Sequence, residues 1–144
     1  MGVRRKSREL IVQAIYALTY SEPDPYSLHL DYLNKYKEVL ADLIHEEDFE
    51  TSSNIFKYAE NTLRNMIPKL EELDESINKH LGEYEFDKVG LLELIIMRLA
   101  AFEILYEKTP APVAINEAVE ITKKFCAERS PALVNAILDN IAHN

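Results

Sequence analysis

Four cations fall within the first eight positions, Arg4, Arg5, Lys6 and Arg8 in "MGVRRKSREL". Such a cluster has one obvious chemistry, neutralisation of phosphates, because cationic side chains that displace condensed counterions supply much of the affinity for nucleic acids. Other reactive residue types are present without the spacing that reactions need. His29, His45, His80 and His143 are scattered, and none pairs with another His or with Cys126 at metal-ligand spacing. No glycine-rich phosphate loop and no nucleophile elbow occurs. The carboxylates of "HEEDFE" read as a solvated stretch between helices. The expectation is a non-enzyme without metal or organic cofactor.

The chain has 144 residues, 47% apolar and 28% charged, which is a globular composition for one domain with a real core. Its formal net charge is −9. Of 16 basic side chains the head holds four, so the remainder carries 12 against 25 acidic groups, a net of −13. An acidic body with a basic head points to nucleic acid at one end and a different, basic partner elsewhere. A lone cysteine forms no intramolecular disulfide, and no separate apolar block follows the basic N-terminus. A reducing, cytoplasmic location without a signal peptide is expected. The most apolar stretch, "LLELIIMRLAAFEILY", carries Glu93, Arg98 and Glu103 and is shorter than the roughly 20 residues of a membrane span. It reads as a buried helix, with no membrane role.

Helices must therefore position these residues. With 3 Gly and 6 Pro there is little punctuation for strands and turns. Apolar residues recur at helical spacing at Ile11, Ala14, Ile15 and Leu18; at Leu33, Tyr36, Leu40, Leu43 and Ile44; and at Phe56, Ala59, Leu63, Met66 and Ile67. Pro68 ends or kinks that third helix, and Leu70, Leu73, Ile77 and Leu81 continue a stripe to Gly82, a C-cap candidate. Asp87 is a candidate cap for a central helix over about Lys88 to Tyr106, apolar nearly all round. After "EKTPAP", Ile115, Ala118, Val119, Thr122 and Phe125 mark the next helix. Ser130 as N-cap and Pro131 at the first helical position start the last, with stripe Val134, Ile137, Leu138 and Ile141. The expected architecture is all-α, a single domain of two packed bundles of three to four helices each, 1–82 and 83–144.

Some side chains fall outside these stripes. Gln13, Tyr16 and Tyr20 lie opposite the first helix's apolar face, as an interface or under a neighbouring helix. Leu133 and Asn135 flank the last helix's stripe on opposite sides, near Lys123 and Lys124 in sequence. Asn135 is either a packing hydrogen-bonder or a ligand contact, and Cys126 is a small apolar filler at a helix end.

The segments "MRLAAFEILY", "VAINEAVEITKKF" and "LVNAILDNIA", in this order and separated by a Pro-containing turn and a short polar stretch, resemble the NusB family of transcription antitermination factors. "RRKSRELIVQAIYAL" is similar to that family's opening, whereas about Ser21 to Glu60 is generic. The resemblance implies an all-helical RNA-binding protein that joins NusE, a small-subunit ribosomal protein, on the single-stranded boxA element of nascent ribosomal RNA. Through that complex it would reach RNA polymerase indirectly. By position, Arg4, Arg5, Lys6 and Arg8 match the family's basic cluster, and Ser130 to Asn135, including Leu133, match its second RNA-facing segment, with Lys123 and Arg129 beside it. Tyr16, Asp87 and Glu93 match positions facing the protein partner. The RNA face, when unoccupied, is available for homodimerisation.

The chain departs from the family at several places. A usual Lys-Phe pair before Val-Asn-Gly is Ala132-Leu133, the Gly after Phe is Cys126, a common central-helix Arg is Leu94, and Arg129 replaces a frequent acid. Loss of a cation and a stacking ring, the latter worth about 1–3 kcal/mol per base, opens a second reading: a module that binds the protein partner with little direct RNA affinity. The same helical domain precedes the catalytic domain of certain ribosomal RNA cytosine methyltransferases, but a chain of this length has no room for a cofactor-binding sheet.

Overall fold

The computed structural model describes residues 2–21, 30–43 and 49–143, and all the elements among them are helical. The α-helices are α1 (Val3–Ser21), α2 (Leu30–Leu43), α3 (Phe49–Met66), α4 (Leu70–Lys79), α5 (Leu91–Leu105), α6 (Ala111–Phe125) and α7 (Ser130–Ala142), with short 3-10 segments at Ile67–Lys69 and Phe86–Lys88. Outside the described residues or side chains lie His29, His45, Ile44, the side chains of Tyr20, Leu33, Tyr36, Leu43 and Asp87, and most of "HEEDFE".

Contacts cluster into two compact units, Met1–Leu70 and Glu71–Asn144. Sequence punctuation places a division at 82, where Gly82 adopts φ +63° in the turn closed by the Tyr84 N–H on the Leu81 carbonyl. The chain's contacts divide earlier, between Leu70 and Glu71. Pro68 cannot donate a backbone hydrogen bond, so α3 stops at Met66 and a 3-10 turn, Ile67–Lys69, leads into α4.

In the first unit α1, α2 and α3 pack on one another. Ile11, Ala14, Ile15 and Leu18 of α1 meet this core with Leu40, Ile55, Ala59, Leu63 and Met66, all buried. The burial of α1 is wider than its stripe, because the run from Ser7 to Val12 is buried on every side of the helix.

In the second unit α5, α6 and α7 pack mutually, around the helix expected to be central. Every α5 residue from Leu94 to Glu103 is buried. Two of these are charged, and Arg98 finds Asp74 of α4: Nε to Oδ1 is 2.6 Å and Nη2 to Oδ2 is 2.7 Å, a bidentate pair with both residues at most 5% exposed. On α6 the buried Thr122 hydroxyl donates to the Ala118 carbonyl at 2.7 Å, keeping a polar group satisfied against α7.

The turn from α5 to α6 contains Lys108 at φ 55°. A side chain in the left-handed region costs on the order of 1–2 kcal/mol that glycine does not pay. Lys108→Gly is therefore expected to stabilise the chain by about 1 kcal/mol in urea denaturation; a loss of stability would mean that the exposed lysine contributes more than its backbone costs.

Candidate nucleic-acid interface

Helix α1 begins at Val3, which places the four head cations on its first two turns with no acidic residue in the first. Positive charge at a helix N-terminus opposes the macrodipole, so these residues weaken the helix that carries them. They are not equivalent. Arg4 is exposed, with its guanidinium carbon 4.9 Å from the centre of the Tyr58 ring of α3. Arg5 and Lys6 are half-buried, and Arg8 is only 6% exposed. The sequence treats the cluster as one cationic head; the helix period turns Arg8 into the protein. Tyr16 and Gln13 are half-buried, so a neighbour covers part of that face.

The second unit brings together Glu93 at the start of α5, Cys126 just after α6 and Ser130 at the start of α7. Ser130 does not cap α7: the cap position is Arg129, no side chain caps there, and the Ser130 hydroxyl donates to Glu93 Oε1 at 2.9 Å. A charged acceptor is the stronger partner for a nearly buried hydroxyl. Asp87 does not cap α5 either. Its helix starts at Leu91 with Gly90 in the cap position, and Asp87 lies in the preceding 3-10 turn. A Cβ at 90 would meet the Glu93 carboxylate as it lies here, so a side chain at this position would displace that carboxylate.

The Cys126 thiol is pushed up to about 12, first by burial and then by the Glu93 charge and its hydrogen bond. At pH 8 the thiolate fraction should lie about a thousandfold below that of an ordinary cysteine. Reaction with an aromatic disulfide reagent is expected to be correspondingly slow and to become fast in denaturant. Fast reaction of the folded protein would contradict the geometry around Glu93. Because the folded-state value is raised, the stability this group confers is present below the ordinary thiol range and is lost as pH climbs from there toward 12.

The other candidates on this unit diverge. Lys123 is exposed and pairs with Glu120 at 3.1 Å, Lys124 lies over the Phe125 ring, and Arg129 is exposed. Leu133 and Asn135 occupy opposite flanks of α7, as helical geometry requires. Leu133 is half-buried in a hollow of about 210 Å³ with Tyr84, Val89, Glu83, Glu85 and Lys88. Asn135 lines a groove of about 450 Å³ with Asn116, Ile115 and Val119 of α6 and Asp139. It is exposed and has no side-chain hydrogen-bond partner among the described residues, so the bracing role considered for it is not observed.

Two features escaped the sequence reading. Tyr84, 48% exposed beside Leu133, sits in a stretch read only as a connector. The Asp74–Arg98 pair left a signal in the lone arginine of an otherwise apolar helix, but not the identity of its partner. Among the described residues no group of three or more metal-ligating side chains occurs, and no helix is long and apolar enough to cross a membrane.

Among the described residues, helices alone, three in one unit and four in the next, with cations on the first turns and a Glu–Ser–Cys node at the start of the last helix, define an all-α protein of the NusB architecture. The NusB from T. maritima matches with a TM-score of 0.73 and 26% identity over 98% of this chain and 91% of that one. The NusB family model matches residues 5–143, and the chain belongs to the NusB family. Similar relatives include proteins named transcription antitermination protein NusB from Sulfurovum sp., 34% identical over 98% of both chains, and from Nitratiruptor sp., 30% identical over 99% of this chain and 93% of that one.

Proposed function

We propose that this chain acts in transcription antitermination during ribosomal RNA synthesis, binding boxA-type single-stranded RNA together with the ribosomal protein NusE in the cytoplasm. The observation that carries this reading is family membership over nearly the whole chain, joined to a cationic first turn on a chain of net charge −9. In this reading Arg4, Arg5 and Lys6 meet phosphates, while buried Arg8 positions the helix. Arg129 and Lys123 add charge near the start of α7, and Leu133 offers an apolar surface to a base. The acidic remainder suits a basic ribosomal protein, since complementary charge steers encounter and selects partners. Tyr16, Glu93 and Asp87 belong to that partner side.

A second reading, partner binding with little direct RNA affinity, is favoured by one observation. Where a stacking ring and a cation would stand, Leu133 lies half-buried beside Glu83 and Glu85, which repel phosphate. Fluorescence anisotropy of a labelled boxA-like RNA at two salt concentrations, with and without NusE, separates the two. The first reading predicts salt-sensitive binding that the partner strengthens. Partner binding with no RNA response at either salt concentration would favour the second.

A further inference from the structure

We propose that the Glu93–Ser130 hydrogen bond couples the protein-partner surface to the RNA surface, with Ser130 a positioning residue for both. The proposal rests on the antitermination reading above and deepens it. Glu93 belongs to the first turn of α5 and to the partner side; Ser130 opens α7 and the RNA side. They are 37 positions apart in the chain, yet the hydroxyl donates to Oε1 at 2.9 Å.

The carboxylate is held from several directions. Ser130 is buried, at 8% exposure. The Cys126 thiol donates to the same carboxylate from the end of α6. Gly90 leaves just enough space for the carboxylate to fold back over the backbone. One acceptor therefore ties together the beginnings of α5 and α7 and the end of α6. The hydroxyl donates its one proton to Glu93, and the start of α7 carries no side-chain cap.

A basic partner that draws the Glu93 carboxylate outward removes this acceptor. Ser130 and Cys126 must then find others, and the first turn of α7 resets with them. Arg129 and Leu133 are carried by the start of α7, so RNA meets a different surface when the partner is bound. Thermodynamic reciprocity requires RNA to alter partner affinity by the same factor.

The test is a thermodynamic cycle on the full chain. The RNA dissociation constant is measured by anisotropy with and without saturating NusE, and the ratio of the two is compared among variants. Taking the ratio cancels any direct loss of RNA contact at Ser130. Couplings of this kind run from about 5- to 150-fold. Ser130→Ala removes the donor, and Gly90→Ala displaces the acceptor from its other side; each is expected to bring the ratio close to one. Ser130→Thr, which retains a hydroxyl, is expected to keep a ratio near that of the unsubstituted chain. Arg129→Ala should weaken RNA binding while leaving the ratio intact, showing that the ratio does not merely follow affinity. A full partner effect in folded Ser130→Ala and Gly90→Ala overturns the coupling alone. No partner effect in the unsubstituted chain overturns the antitermination reading as well, and that outcome is seen before any substitution is made.

Discussion

Arg98→Met is expected to destabilise the protein by about 3–5 kcal/mol in urea denaturation, because it leaves the Asp74 carboxylate buried without its cation. Both residues are at most 5% exposed, and the guanidinium meets both carboxylate oxygens at 2.6 and 2.7 Å. The large number comes from orphaning one charge, not from the net worth of the pair. Replacing both partners, Asp74→Leu with Arg98→Met, should recover most of the loss, since buried ion pairs and well-packed apolar substitutes are often close in free energy. The exposed network around Glu60 supplies the contrast. Burial raises that carboxyl, but hydrogen bonds and charge from Lys37 and Arg64, at 3.1 and 2.8 Å, outweigh it and leave it below its ordinary value. Such surface pairs contribute at most about 1 kcal/mol. A cost below that for Arg98→Met would mean that water reaches Asp74.

The second large effect concerns the head. Replacing Arg4, Arg5 and Lys6 together by alanine is expected to weaken binding of boxA-like RNA and to flatten its salt dependence. With about 0.7 counterions released per neutralised phosphate on a single strand, three lost contacts should reduce the log–log slope by about 2. Arg8→Ala should behave differently. That side chain is 6% exposed, so its removal should register mainly in thermal stability, with little change in the slope. Equal slopes for the triple variant and the unsubstituted chain would place RNA away from α1.

Periodicity carried most of the helical organisation. The stripes on α1 and α7 and the stripe from Leu70 to Leu81 are buried throughout, and those on α3 and α6 are buried except at the half-buried Phe56, Val119 and Phe125, because the spacing of apolar residues is itself the physical cause of that packing. Pro68 ended α3 for a reason visible in one residue, its missing N–H. Termini were less legible. Ser130 and Asp87 both have the side chains of caps, but α7 starts with Arg129 in the cap position and α5 with Gly90 there. The Ser130 hydroxyl instead meets a carboxylate 37 positions away, a contact no local rule anticipates.

The site was legible unevenly for the same reason. A run of cations announces its chemistry, but whether each faces outward depends on α1 being buried around its whole circumference from Ser7 to Val12. Leu133 and Asn135 were separable by the 100° step alone, and they do line different depressions. Glu93, Cys126 and Ser130 come from three elements, and their meeting is a property of the packing of α5, α6 and α7.

The most direct test of the antitermination reading is light scattering coupled to gel filtration of the chain mixed with NusE and a boxA-like RNA. The account predicts one species containing all three components at moderate salt, with the RNA leaving as salt is raised. A chain–NusE complex that excludes RNA at every salt concentration would contradict it and leave a protein-binding module in its place.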